Sequence, residues 1–331
     1  MKRVLVSGAS GIVGYGILRS LRRVKQECFL VGTSIYDDSV APAFCDVFEQ
    51  APPTPAPEYL SWLLDTLQRH RIDLLIPGIE IDMYHWVEHI PEIRATGARP
   101  LLNAPELIAL CKDKWAFYRR LREACVACTI ESSLEGDFTA LIQSFGFPFL
   151  LKPRRGFGSK GIVRVTSEDV FEKHRADIGP ALMAQPIVGD DAEEYTTSAF
   201  CDGQGGYFAS MTLRRKLSRD GFTDKAEVAD ATEFVPAMDE LCRLFRPLGP
   251  TNFQFRRCAD GPKLLEINPR ISSSTSIRTA FGYNESAMAL GYFLDRLTPV
   301  QPAIRHGRAV RYTDEQIFYE NGVHLCHPRQ L

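Results

Sequence analysis

Glu266, Asn268 and Arg270 occupy alternate positions in the stretch Leu264-Leu265-Glu266-Ile267-Asn268-Pro269-Arg270. In an extended chain side chains two apart share a face, so Glu266 and Asn268 project together while Leu265 and Ile267 point into a core. Upstream, Asn252-Phe253-Gln254-Phe255 reads as a second strand, with the turn Asp260-Gly261 between the two. Pairing as a hairpin lets Gln254 fall beside Glu266, and three oxygen donors then converge. A hard divalent cation such as Mg²⁺ takes oxygen ligands and draws the rest from phosphates and water. Pro269 ends the strand, and Arg270 sets a fixed positive charge where a transferring phosphoryl group would lie. The plainer alternative is a polar strand edge with a satisfied Asn268. The placement of Gln254, the Pro269-Arg270 ending and the run Ser272-Ser273-Ser274 weigh against it.

A second constellation is basic. Phe149-Leu150-Leu151-Lys152 reads as a strand that delivers Lys152, followed by Pro153-Arg154-Arg155-Gly156-Phe157-Gly158-Ser159-Lys160-Gly161. A loop with glycines can lay backbone N–H groups against phosphates. It does not match the G-x-x-x-x-G-K-[ST] pattern of a Walker-type loop. Arg214, Arg215 and Lys216 lie on another expected strand, which would edge the same cleft.

These groups need a scaffold. The first third alternates apolar strands (Val4 to Ser7, Cys28 to Gly32, Asp73 to Pro77) with amphipathic helices through Leu18 and Leu21 and through Leu60, Leu63, Leu64 and Leu67. Strands separated by helices at this spacing imply a parallel sheet with helices on its faces. A helix from Lys114 to Ala124 opens the next part, and another precedes Gly146. The remainder is rich in strands, with a helix expected over Ala237 to Phe245. The reading is therefore α/β, divided as 1–112, 113–185 and 186–331.

With these elements placed, the chain resembles the ATP-grasp superfamily, in particular the carbamoyl phosphate synthetase large-subunit type. The resemblance covers nearly the whole length. It implies a Rossmann-like domain over 1–112, a small lobe with a phosphate-covering loop over 113–185, and a large lobe with the metal site over 186–331. The Q-F strand followed by E-x-N-P-R is met by Gln254, Glu266, Asn268 and Arg270. The resemblance further implies that Lys114 and Lys152 reach the nucleotide phosphates and that Gly158-Ser159 lies in the covering loop. It places the adenine beside the backbone near Gln185 and Ile187, and the ribose at Glu194. Gln185 stands where an acid is common, and Pro186 lacks a backbone donor. The implied cofactors are ATP and Mg²⁺, with Mn²⁺ as a substitute, and the implied site holds two metal ions bridging phosphates to Gln254, Glu266 and Asn268. The implied activity is an ADP-forming ligase that joins a small-molecule carboxylate to an amine-type nucleophile through an acyl phosphate.

Other motifs support rival readings. Gly8-Ala9-Ser10-Gly11-Ile12-Val13-Gly14 after a strand has the form of a dinucleotide-binding turn, which would make the chain an NAD(P)-dependent oxidoreductase. No Tyr is followed four residues on by Lys, as a short-chain dehydrogenase would require. A non-catalytic ATP sensor is the third reading. Glu80, Asp82, His85, Glu88 and His89 form either a metal cluster or an ordinary amphipathic helix, and the resemblance adds that Glu80 or Asp82 could meet substrate. His324 and His327 read as surface or packing residues. Nine cysteines, with one C-x-x-C at Cys125 to Cys128, suit reduced thiols in a cytoplasmic protein. A net charge of −2 gives no global footprint for nucleic acid, and no apolar run approaches a membrane span. A homo-oligomer is compatible with this composition.

Overall fold

A computed structural model describes residues 1–24, 28–156 and 161–318. They form two compact units. The first comprises Met1–Leu102, Ile271–Pro299 and the segment from Ala309 on; the second comprises Asn103–Arg270 and Val300–Arg308.

The first unit is built on strands β1 (Lys2–Val6), β2 (Cys28–Ser34), β3 (Val47–Gln50), β4 (Leu74–Ile76) and β5 (Arg99–Pro100), all parallel, in the order β3-β2-β1-β4-β5. Val4, Leu5, Val6, Leu30, Val31, Leu74, Leu75 and Ile76 are wholly buried, as continuous apolar runs in a sheet covered on both faces should be. Helix Ile12–Leu21 packs beside helices Thr275–Ala280 and Glu285–Asp295. Thr279 Oγ1 donates to Ser20 Oγ at 2.9 Å, and Asn284 Nδ2 donates to the Ser20 carbonyl at 2.9 Å. The first unit therefore draws on chain well beyond the amino-terminal third.

The Gly-rich turn is explained by close packing. A Cβ on Gly14 would stand 2.3 Å from the Gly8 carbonyl oxygen, and one on Gly78 would stand 2.1 Å from that of Ser7. Gly8 itself has φ +57°, a conformation L side chains rarely adopt. Helix Glu80–Glu88 likewise has a structural role. Asp82 is buried and accepts from Thr54 Oγ1 and from Tyr59 OH at 3.0 Å, while Trp86 Nε1 donates to Tyr59 OH at 3.0 Å. Of the two readings of this segment, the amphipathic helix describes it. Among the described residues, no group of three His, Cys, Asp or Glu side chains is placed to hold a metal. Cys125 is exposed and Cys128 buried, and both are free thiols. His324 and His327 lie outside the described residues, among which no helix is long and apolar enough to cross a membrane.

The second unit holds two antiparallel sheets. The smaller has β6 (Phe149–Pro153), β7 (Val163–Val165) and β8 (Leu182–Pro186) in the order β7-β6-β8. Phe149 and Leu151 join Leu141, Val165, Phe171, Leu182 and Ala184 in its core. Strand alternation then sends Leu150 and Lys152 to the opposite face. The larger has β9 (Glu194–Asp202), β10 (Tyr207–Leu217), β11 (Thr223–Val228), β12 (Leu248–Cys258) and β13 (Gly261–Asn268), in the order β13-β12-β9-β10-β11, and Arg308, the last residue of this unit, opens a short strand at the β11 edge. One face packs Tyr195, Phe253, Phe255, Leu264 and Ile267 against Phe117, Phe234 and Leu241. The other carries polar side chains.

The packing of the first unit gives one substitution opposite signs at two helical glycines. Gly14→Ala drives a methyl into backbone and should destabilise by about 1–3 kcal/mol or more. Gly291→Ala meets nothing nearer than Leu297 Cβ at 3.7 Å and should stabilise by about 0.5–1 kcal/mol through helix propensity. Urea unfolding midpoints of the two variants should move in opposite directions; equal shifts would remove packing as the reason for Gly14.

Candidate active site

Both polar faces of the second unit line one cleft, with about 840 Å³ of empty space. Its wall includes Lys114, Lys152, Gln185, Ile187, Glu194, Gln254 and Glu266, so seven of the residues singled out from sequence meet there. Asn268 and Arg270 are not wall residues but connect to Glu266 in series. Asn268 Nδ2 donates to Glu266 Oε1 at 3.0 Å, and Arg270 Nη2 donates to Asn268 Oδ1 at 3.4 Å. Gly158 and Ser159 lie outside the described residues.

Each wall residue has a local cause. Asp113 caps helix Lys114–Glu123, accepting from the backbone N–H groups of Trp115 and Ala116, and so fixes Lys114 as its first residue. The other oxygen of Asp113 accepts from Arg154 Nη2 at 2.9 Å. Burial pushes this carboxyl up, but Arg154 and the capped N–H groups outweigh that and hold it below the usual range. Lys114 Nζ donates to the Gly156 carbonyl at 2.6 Å. Gln185 lies opposite Leu150 in the β6–β8 pairing, hence on the cleft side, and its Nε2 donates to Ser132 Oγ at 2.8 Å.

The hairpin is present with Gln254 directly opposite Glu266 and Asn252 opposite Asn268. One expectation on it is corrected. Leu265 does not point into the core with Ile267; it lines the cleft, and Leu264 is the buried leucine. A β-bulge is the reason: Phe255 pairs with Leu264, so Leu265 is an extra residue and the alternation slips by one. The carbonyl of Leu265 accepts from Lys152 Nζ at 3.5 Å.

Lys152 and Glu266 set the charge of the cleft together. Burial lowers the Lys152 ammonium, and Lys114 adds to that, against the pull of Glu266; the result lies below the ordinary lysine value. For Glu266 burial acts upward, but Lys152, the Asn268 amide, Lys114 and Arg215 prevail and hold the carboxyl below its ordinary 4.5. Glu266 is therefore ionised at neutral pH, as an oxygen ligand for a hard cation must be.

Sequence reasoning passed over Arg256 and gave Arg215 only a place on a strand edging the cleft. Glu194 is buried between them. Arg215 Nε and Nη2 both donate to Glu194 Oε1, at 3.0 and 2.8 Å, and Arg256 Nη2 donates to Glu194 Oε2 at 2.9 Å. Both carboxylate oxygens proposed for a ribose are thus engaged by guanidinium groups. Arg256 stands two residues from Gln254 on β12, so alternation alone could have placed it on this face. Arg214 turns instead to Glu193 and Glu227, and Lys216 is exposed. In the first unit, the turn proposed for a dinucleotide has Ser34 at the end of β2, where a ribose-binding acid would be needed, and Ser10 Oγ donates within a cluster with Ser34 and Ser39.

Comparison with known proteins agrees with this architecture. Residues 180–316 match the family described as ATP-grasp in the biosynthetic pathway with Ter operon. The carbamoyl phosphate synthase large chain of Kocuria rhizophila is 24% identical over 196 residues, 55% of this chain and 18% of that protein. The alignment thus spans under a fifth of the relative's own length. N5-carboxyaminoimidazole synthetase from Staphylococcus aureus superimposes with a TM-score of 0.70 at 16% identity, covering 92% of this chain and 80% of that one. Biotin carboxylase from Campylobacter jejuni, in a complex with an ATP analogue, gives 0.69 at 14% identity, covering 93% and 74%. Residues 180–316 thus match an ATP-grasp family, and the chain is distantly similar to the carbamoyl phosphate synthase large chain and shares its fold with N5-carboxyaminoimidazole synthetase and biotin carboxylase.

Proposed function

We propose that this chain binds ATP with Mg²⁺ in the cleft of the second unit, phosphorylates a carboxylate, releases ADP and passes the acyl group to an amine-type nucleophile. The observation that carries the reading is the joint presence of Lys114, Lys152 and Arg256 with an ionised Glu266 on the wall of one cleft. Cations fixed on a helix start and on strands can hold a triphosphate; a carboxylate beside them needs a metal or a donor to share the site with it. Solved relatives of this fold carry ADP or ATP, including a second structure of the S. aureus synthetase complexed with ADP.

In this reading residues 113–185 and 186–331 supply the two lobes and 1–112 the preceding domain. Glu266 and Asn268 would hold Mg²⁺, which when bound neutralises phosphate charge and polarises the transferring group. Lys152 neutralises charge that develops on the phosphoryl oxygens, and its aim is set by strand β6 and the Leu265 carbonyl. Lys114 would exchange the Gly156 carbonyl for a phosphate oxygen. Gln185 and Ile187 border the adenine end, Glu194 the ribose. Arg270 acts on the metal edge through Asn268. Gly158 and Ser159 are assigned to the covering loop on the resemblance alone. A cytoplasmic setting belongs to the same proposal. The oxidoreductase alternative is less favoured, because β2 ends in Ser34 without the acid that binds an NAD ribose and residues 180–316 match an ATP-grasp family.

ATP with Mg²⁺ should raise the thermal midpoint, by mass action worth about 2.7 kcal/mol at a hundredfold excess over Kd. NADPH should leave it unchanged. A shift with NADPH and none with ATP would restore the oxidoreductase; a shift with ATP and no turnover on any carboxylate–amine pool would favour the sensor.

The nucleotide product should be ADP, since Lys114, Lys152 and Glu266 converge on one end of the cleft. With an accepted carboxylate, hydroxylamine should trap the acyl phosphate as a hydroxamate, and Lys152→Met should reduce trapping by about 10²-fold or more. AMP in the chromatogram would indicate adenylation and sink the assignment.

Lys152→Met also carries a pH signature. In the parent protein Glu266 lies below its ordinary 4.5, so its contribution to stability is present above that pH and is lost as pH falls through the folded value. Without Lys152 the largest influence opposing burial is gone and the carboxyl rises from its parent value, so part of the stabilisation at neutral pH is lost and the difference fades as pH falls. The stability gap between parent and variant, read by urea unfolding, should narrow from about pH 7 to about pH 4. A gap that is constant with pH would show that Lys152 does not hold the carboxylate.

A further inference from the structure

Arg215 lies on β10 with its side chain 3% exposed, fixed by its paired bonds to Glu194. Its Nη2 makes one more bond, to Gln254 Oε1 at 2.6 Å. A guanidinium only donates, so the Gln254 atom that meets it is the carbonyl oxygen, the one atom of that side chain able to bind a metal. A Mg²⁺–oxygen bond is about 2.1 Å long, so an ion on this oxygen would lie within roughly 5 Å of a fixed positive charge. Glu194 offers no relief, because Arg256 takes its second oxygen at 2.9 Å. Fixed cations already crowd this side of the cleft before any metal enters: Lys114, Lys152 and Arg256 line it beside Glu194 and Glu266, with Arg215 on Glu194 and Asp191 on Arg256.

We propose that Arg215 takes the place of a second metal ion. The nucleotide site of this chain then holds a single divalent cation, at the Glu266–Asn268 edge, and Gln254 fixes Arg215 instead of binding metal. The inference rests on the ATP–Mg²⁺ reading and narrows it from two ions to one. Arg215 is here a positioning residue: it supplies a permanent charge whose place does not depend on the concentration of free metal. Glu266 differs from Gln254 in this respect, since among the described residues no guanidinium donates to it, and the guanidinium on Asn268 Oδ1, that of Arg270, stands off at 3.4 Å against the 2.6 Å of Arg215 on Gln254.

The test counts ions directly. The full chain, with an equal amount of the non-hydrolysable analogue AMP-PNP, is titrated with Mn²⁺ and followed by electron paramagnetic resonance, with calorimetry of AMP-PNP binding on the same samples. One bound Mn²⁺ per chain with an uncoupled spectrum is expected. Two Mn²⁺ per chain with a spin-coupled spectrum would overturn the proposal and leave the nucleotide reading standing. Absence of AMP-PNP binding would instead remove the nucleotide reading, and this proposal with it. The double variant Arg215→Met, Gln254→Glu withdraws one positive charge and adds one negative; it should bind two coupled Mn²⁺. A folded double variant that still binds one would show that Arg215 does not exclude the second ion. Should that variant fail to fold, the count on the parent protein decides.

Discussion

The second unit depends on one buried carboxylate. Glu194 accepts three hydrogen bonds from two guanidinium groups at the centre of the large sheet, joining β10, β9 and β12. Burying charge is costly unless the partners are present and well directed, and removing one partner leaves the others uncompensated. Without Glu194, Arg215 and Arg256 would face each other with no anion between them. The same row of charges sets the electrostatics of the cleft, because Glu194 holds both guanidinium groups beside it. Sheet integrity and anion affinity therefore rest on the same side chain, and neither can be altered at Glu194 alone.

A second shared element is Asp113. It caps the helix that presents Lys114 and holds Arg154 at the foot of the strand that presents Lys152. The two phosphate-facing lysines come from different elements, and this carboxylate gives both a common reference point. Such doubling is economical in a cleft made of two small sheets, where few residues are free of the core.

Much of this was legible in the sequence, for identifiable reasons. The parallel sheet announced itself through runs such as Val4-Leu5-Val6 and Leu74-Leu75-Ile76, because strands covered on both faces have no polar side to show. The hairpin and the facing of Gln254 and Glu266 followed from period two. What escaped was of two kinds. Short elements such as β3 and β5 carry too few residues for a pattern, and β8 was read only as backbone beside the adenine because its strand character comes from pairing with β6. The other kind is long-range. The burial of Glu194 between two arginines joins residues far apart in sequence, and no local period encodes it. Leu265 failed for a third reason, since a bulge breaks the count on which the inference rested. Counting by twos from the buried Leu264 would even have put Glu266 on the wrong face.

That bulge leaves a point of evolutionary freedom. Leu265 is the one residue of the hairpin without an opposite number on β12. Its loss would let Phe255 and Leu264 keep their pairing, and Glu266 and Ile267 their present faces. What would go is a stretch of apolar wall and the carbonyl that receives the Lys152 ammonium. A lineage could thus add or drop an acceptor beside the lysine through a single codon, with the register of the core intact on either side. Length variation at this position is a route by which related chains could retune their chemistry while keeping their fold.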